Sequence, residues 1–306
     1  MDISHLSTFC TVIEAGSISR AAKELFVTQP AISQKVQELE EHYKVQLLER
    51  TNKGIKPTET GLFLYSEAQK VLALMGSIQR ELEAIRNPSE ELTVGASSTI
   101  GNFALPCSMF TYRERHPGYD VTIEIGNTSD MISKLLSRRV EIALVEGPLK
   151  QAWIDQLEAE NISIKKIAQT KLILVAKYGG QYQDLNAIQL ADLKNMAFIT
   201  REPGSGILYS IEEGLSKNEI DLGDFSTVHE LNTINAIISA VASDMGVALL
   251  PGMALRKELR YKIVKPIRIT DAQFRLDLNL LYQNNSKKHS YNAFIDLIDS
   301  RDRGFC

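Results

Sequence analysis

In the stretch FVTQPAISQKVQELEE, residues 26 to 41, no carboxylate occurs before Glu38. Ile32, Val36 and Leu39 recur at helical spacing and can dock on a core. The opposite face then carries Gln29, Pro30, Ser33, Gln34 and Gln37, with Lys35 on its flank. Amides and hydroxyls donate and accept hydrogen bonds, and the lysine adds a positive charge. An ordinary solvated helix places acids in its first turn, where the helix dipole stabilises them. Withholding them leaves that end open to an anionic surface. Thr28 is placed to cap the helix, and because Pro30 has no N–H the capping bond is expected to come from Ala31.

A second set of polar residues lies far downstream. SST, NTSD and TREPGSG each follow a strand-like segment and precede a helical one. In open α/β sheets ligands bind beyond the carboxyl ends of strands, and helix N-termini there offer unpaired N–H groups to anions. Ser98, Thr99, Thr128, Thr200 and Ser205 are thus candidates to surround a small acid, with Arg201 as its charge partner. For any one hydroxyl, capping the next helix is the commoner role. Catalytic patterns are thin. The five histidines are scattered, and neither HExxH nor a CxxC pair offers metal ligands. REPGSG lacks the Gly-Lys-Ser/Thr of a phosphate loop, SIKK at 163–166 sits in strand-like sequence without partner motifs, and no GxSxG elbow exists. Neither enzyme activity nor a metal or cofactor is expected.

These residues need elements to hold them. A chain of 306 residues suggests two or three domains, and 44% hydrophobic with 24% charged residues is globular composition. Three distant cysteines fit reduced thiols in a cytosol. The N-terminus lacks a signal-peptide pattern and no run approaches the ~18 apolar residues of a membrane span. A cytoplasmic protein with no membrane partner is expected. Net charge of −4 argues mildly against nucleic acid, but only a local surface is required.

Ile3, Leu6, Phe9, Cys10 and Ile13 mark a first helix ended by Gly16, and SRAAKEL a short second one. Phe26 and Val27 separate it from the acid-free helix. Helix, tight turn, helix is the plan that lays its second member in the DNA major groove, N-terminal residues at the base edges. VQLLER and TNKGIKPT then suggest a two-stranded wing, whose Arg50, Lys53 and Lys56 can meet phosphates. From Thr58 to about Arg86, Leu64, Ala68, Val71, Met75, Ile78, Leu82 and Ile85 alternate spacings of four and three, a heptad seam suited to a dimer. NPSEE breaks it at Pro88.

Ala21 and Ala22, the Thr28-to-Ser33 run TQPAIS, Leu39, Glu40 and Arg50, followed by KPTETG, resemble the winged helix-turn-helix of LysR-type transcriptional regulators. The family usually has Phe where Leu48 stands, a core exchange. The resemblance implies base-edge contacts at Gln29, Pro30 and Ser33, with Lys35 close by, and backbone contacts at Arg50 and Lys56. It implies an oligomer, homodimer or homotetramer, on double-stranded operator DNA, with RNA polymerase as a further partner. The remaining chain alternates strands and helices, from ELTVGAS to a last helix near 287–303, which predicts a parallel sheet in an α/β domain. It is similar to the family's two-lobed sensor, itself like periplasmic binding proteins, and that likeness implies that the three turns converge on a cleft holding a small anionic effector. The expected fold is therefore α+β overall. A winged helix-turn-helix spans 1–58, a linker and dimerisation helix 59–88 and a sensor domain 89–306, with lobe I at about 89–164 and 267–306 and lobe II at about 165–266. VGASSTIGNFALP, GNT and VEGP resemble members that control sulfur assimilation or carbon fixation. The competing expectation is a small-molecule-binding protein or enzyme on the two-lobed domain without specific DNA binding.

Overall fold

Phe9, Val12, Ala21, Ile32 and Leu39 are almost wholly buried, and they fix how three short helices meet. These are α1 (Ile3–Ala15), α2 (Ile18–Glu24) and α3 (Gln29–Tyr43). The computed structural model describes residues 2–51, 54–86, 90–284, 286, 288–300 and 304–305, and their side chains except at 50, 51, 54, 73, 77, 79–86 and 90. It forms two compact units, one from residues 1–87 and 137–139 and one from residues 88–136 and 140–306.

Gly16 ends α1 in the left-handed conformation that a glycine adopts freely, its N–H donating to the Val12 and Ile13 carbonyls. Thr28 stands at the N-cap of α3, but its side chain makes no capping bond. Pro30 removes a donor that the cap would serve, and the start is closed by the Ile32 N–H donating to the Thr28 carbonyl at 3.2 Å. The wing pairs β1 (Leu48–Thr51) antiparallel with β2 (Gly54–Pro57). It begins later than VQLLER suggests, because Glu40 Oε1 accepts from the Leu47 N–H at 2.7 Å and the Leu48 N–H at 3.2 Å before pairing starts. Leu48 packs partly buried against both helix clusters, as a core exchange should.

The long helix α4 runs Glu59–Arg86. Its heptad divides by role. Ala68 is buried and Leu64 partly buried in the unit's own core, while Val71, Met75 and Ile78 stand 42%, 46% and 45% exposed. The Leu82 and Ile85 side chains lie outside the described residues.

In the second unit, β3 (Glu90–Ser97) pairs parallel with β4 (Tyr119–Gly126) and β5 (Ile142–Glu146). A π-helical turn, Ile100–Ala104, leads into α5 (Leu105–Arg115); α6 (Thr128–Leu136) follows β4, and α7 (Gln151–Ala159) follows β5. The strand β6 (Ile162–Lys177) is continuous for 16 residues. The second lobe adds β7 (Ala187–Ile188), β8 (Ala197–Arg201), α8 (Gly206–Ser216), β9 (Thr227–Leu231), α9 (Ile234–Ala242), β10 (Ala248–Pro251), α10 (Arg256–Arg260) and β11 (Val264–Ile269). The chain then returns as β12 (Arg275–Gln283), antiparallel to β5, and α11 (His289–Asp299).

The sheet is mixed, not parallel throughout, because β12 and β6 join it antiparallel. Residues 162–171 of β6 pair with β12, and residues 172–177 pair with β10 and β11. The change of partner falls after Lys171. Cys107 on α5 is disulfide-bonded, against the expected reduced state, since spacing along a chain says nothing of distance across it. Cys10 is free, and burial, with Glu14 behind it, pushes its thiol up to about 12.

The lobes meet where α8 starts against the end of β5. A Cβ on Gly206 would stand 1.7 Å from the Glu146 carbonyl oxygen and 2.8 Å from Thr128 Oγ1. Backbone cannot yield there as a flexible side chain would. Gly206→Ala should therefore destabilise the second unit by about 3 kcal/mol, the upper part of the usual overpacking range. Gly118→Ala, whose Cβ would meet nothing within 4 Å, is the control. Thermal denaturation checks both; equal transitions would mean that the lobes separate at little cost.

Candidate nucleic-acid interface and ligand cleft

At the front of α3, Gln29, Pro30 and Gln34 are exposed and Ser33 is half-buried. Lys35 Nζ reaches back to Ser4 Oγ at 3.4 Å, on the flank of the face. The acids of the far end are all employed inside the domain. Glu38 accepts from Gln34 at 2.9 Å and meets His5 Nε2 at 2.6 Å, and the His5 and Gln34 bonds hold its carboxyl below the usual range. Glu40 receives the two wing amides, and Glu41 accepts from Gln37 at 2.8 Å. Lys56 on β2 is exposed. Lys53 lies outside the described residues, as does the Arg50 side chain, whose backbone pairs with Ile55.

Between the lobes lies a cavity of about 440 Å³. From the first lobe Ser98, Asn102, Phe103 and Asn127 line it; from the second come Arg201, Glu202, Asn232, Thr233 and Asn235. Arg201 is 2% exposed. Its Nε donates to Glu202 Oε2 at 2.8 Å, its Nη2 to Glu202 Oε1 at 3.0 Å and its Nη1 to Ser98 Oγ at 2.8 Å. Asn127 Nδ2 donates to Glu202 Oε1 at 3.3 Å, and the Ser129 N–H to the Gly204 carbonyl at 3.0 Å. These bonds tie one lobe to the other. The guanidinium of Arg201, the one that lines the cavity among the described residues, thus already holds a carboxylate.

Of the sequence-predicted ligand residues, Ser98 and Arg201 line this cavity together. Thr99, Thr128, Thr200 and Ser205 do not; they form a buried layer behind it. Thr128 Oγ1 donates to the Glu146 carbonyl at 2.8 Å. The Thr200 and Ser205 hydroxyls make no hydrogen bond among the described residues. Thr99 Oγ1 forms no bond of good geometry but sits beside the Glu146 carboxylate. Asn127 and Glu202 stand within or beside the predicted turns. Asn232, Thr233 and Asn235 follow β9, where the same strand-end rule applied to ELNTIN would have found them. Thr233 also caps α9, accepting from the Ala236 N–H at 3.1 Å. Among the described residues, no three His, Cys, Asp or Glu gather as metal ligands, and no helix is long and apolar enough to cross a membrane.

A winged helix-turn-helix followed by a two-lobed α/β domain with a polar cleft defines a DNA-binding regulator that carries its own ligand-sensing domain. Residues 3–62 match the bacterial regulatory helix-turn-helix protein, lysR family, and residues 86–303 match the LysR substrate binding domain. The chain belongs to the LysR family of transcriptional regulators. A probable RuBisCO transcriptional regulator of Nostoc sp. is 32% identical over 92% of this chain and 83% of that protein. One from Gracilaria tenuistipitata is 30% identical over 94% of this chain and 91% of that protein. The structure of CbnR, a LysR family transcriptional regulator, aligns with TM-score 0.69 at 19% identity, covering 99% of each chain. CbnR in complex with its target DNA aligns with TM-score 0.65 at 20% identity, covering 97% of this chain and 98% of that one.

Behind the cavity, Glu146 is buried and accepts from Ser97 Oγ at 2.9 Å. Burial raises its carboxyl above the ordinary value of 4.5; Thr99, Ser97 and the Arg201 charge oppose the rise. A raised acid holds its proton longer in the fold than in the unfolded chain. The stability it contributes is full at pH values below the ordinary one and is lost as pH rises toward the folded value. Glu146→Gln should flatten that slope, so its transition temperature should gain on the parent as pH rises above about 4.5. Thermal melts across pH with a constant difference would mean that Glu146 ionises as freely folded as unfolded.

Proposed function

We propose that α3 enters the major groove of operator DNA with Gln29, Pro30 and Ser33 at base edges and Gln34 and Lys35 beside them. Arg50, Lys53 and Lys56 of the wing meet phosphates and set the register without reading sequence. The supporting observation is the acid-free opening of α3, with each later carboxylate engaged within the domain. The seam of Leu64, Ala68, Val71, Met75, Ile78 and Leu82 joins two copies in a homodimer or homotetramer, a reading supported by the exposure of Val71, Met75 and Ile78. Two reading heads then meet two half-sites. Relatives named as RuBisCO transcriptional regulators favour the carbon-fixation side of the subgroup expectation. Work in the cytoplasm, no catalytic activity and RNA polymerase as a further partner complete the proposal.

The effector sits in the interlobe cavity, between Ser98 and Asn127 on one side and Arg201 and Asn232 on the other. An anionic effector there competes with Glu202 for Arg201. Thr99, Thr128, Thr200 and Ser205 support the shell from behind.

On DNA from immediately upstream of the gene, Gln29→Ala should cost about 1–3 kcal/mol and little on random DNA. Arg50→Ala should weaken both alike and flatten the salt dependence, because a phosphate contact releases a counterion whatever the sequence. Equal losses on both DNAs for Gln29→Ala would reject base reading. For the effector, Glu202→Gln removes the internal competitor and should sharpen the response of DNA binding to small carboxylic acids, while Arg201→Ala should abolish it. A weakened response in Glu202→Gln would make Glu202 part of the effector's shell.

A further inference from the structure

Phe26 is 96% exposed, the most exposed of the large apolar side chains described. It stands in the turn between α2 and α3 with φ +54°. Its N–H donates to the Lys23 carbonyl at 3.3 Å, and the Val27 N–H to the Ala22 carbonyl at 3.0 Å. This pair of bonds is the Schellman closure of a helix. The residue in Phe26's place takes the left-handed conformation and is usually Gly, sometimes Asn.

Seven non-glycine residues among those described have positive φ: Phe26, Lys44, Arg138, Asn161, Glu219, Asp244 and Lys262. All but Phe26 are polar or charged. A bulky side chain is an outlier in this backbone region, and a ring left in water gains nothing from burial. Two local preferences are therefore overridden at one residue. Outliers of that kind cluster where function demands them.

We infer that Phe26 is a DNA-contacting residue whose ring packs on an apolar edge of the operator, a thymine methyl or the face of a deoxyribose. Its place carries the inference. Val27, 46% exposed, follows it, and then come Thr28, Gln29 and Pro30, all exposed. Phe26 thus continues the polar face at the end of α3 that meets the bases, where the chain passes from the helix crossing the backbone to the helix in the groove. Apolar contact with a thymine methyl is a recognised form of base readout. The inference rests on α3 being the reading helix and adds to it a residue with no hydrogen-bonding side chain.

The test uses the full chain and DNA from immediately upstream of the gene. Phe26→Asn and Phe26→Gly both suit the left-handed turn, so neither should lower the thermal transition. Each should nevertheless weaken binding to that DNA about tenfold, as expected for losing burial of an aromatic ring. The slope of affinity against salt should stay unchanged, because a ring releases no counterion. Replacing thymine by uracil separates the two apolar edges. A loss in the parent that disappears in Phe26→Asn identifies the methyl; a loss of affinity in the variant with no effect of uracil on either protein identifies the sugar. Unchanged binding by both variants, with Gln29→Ala still weakened, overturns the role of Phe26 alone. Unchanged binding by all three overturns the reading role of α3 as well.

Discussion

Strand β6 carries the hydrogen-bond ladders of both lobes, residues 162–171 on β12 and residues 172–177 on β10 and β11. Both lobes are thereby built on one extended backbone, and the bonds that cross between them are few. Arg201 to Ser98, Asn127 to Glu202 and the Ser129 amide to Gly204 all come from turns at the ends of β3, β4 and β8. Two of those bonds, Arg201 to Ser98 and Asn127 to Glu202, join residues that line the cavity. Any ligand entering it must add to them or replace them, and it can shift the domain only by its difference in affinity between arrangements. The close backbone approach at Gly147 and Gly206 leaves little slack behind the cavity.

Carboxylates are distributed with economy. On α3 they are absent where an anionic partner would meet the helix, and the three that follow close onto His5 and Gln34, the wing amides and Gln37. In the second unit two acids sit at the lobe junction. Glu202 neutralises the buried Arg201, and Glu146 accepts from the Ser97 hydroxyl in a buried setting that resists ionisation. A net charge of −4 is therefore compatible with a DNA-reading surface, because the sum over the chain carries no information about which face each charge occupies.

Some residues are poorly explained by folding one chain. Phe26 is strained and solvated, and Val71, Met75 and Ile78 expose apolar surface along α4. In a globular core such side chains would be buried or replaced. They are the side chains on which the proposed DNA contact and the proposed joining of two copies rest. Ala68 and Leu64, on the same heptad, show that one periodic stripe can serve the unit's own core at one end and remain open at the other.

The three helices, the wing, the long α4 and most strands of the sensor domain are legible in the sequence, because apolar periodicity, caps and turn residues act over a few neighbouring positions. The helix α7 is not, since QAWIDQLEA buries Leu157 alone and leaves little period to detect. Nor is the unbroken length of β6, whose middle residues are mostly exposed or partly so. In the cleft, strand-end turns pointed to Ser98 and Arg201, yet the same rule did not separate them from Thr128, whose hydroxyl is already used on the Glu146 carbonyl. It also missed Glu202 as the partner of Arg201, and Asn232 from a fourth turn, after β9. The sequence by itself determined which segments are helix, wing and strand, and which helix end is free of acids. Tertiary structure alone decided which polar groups face the cavity and which are consumed behind it. Those pairings join residues up to 103 positions apart, such as Ser98 and Arg201, and depend on where the backbone places them rather than on anything written near either one.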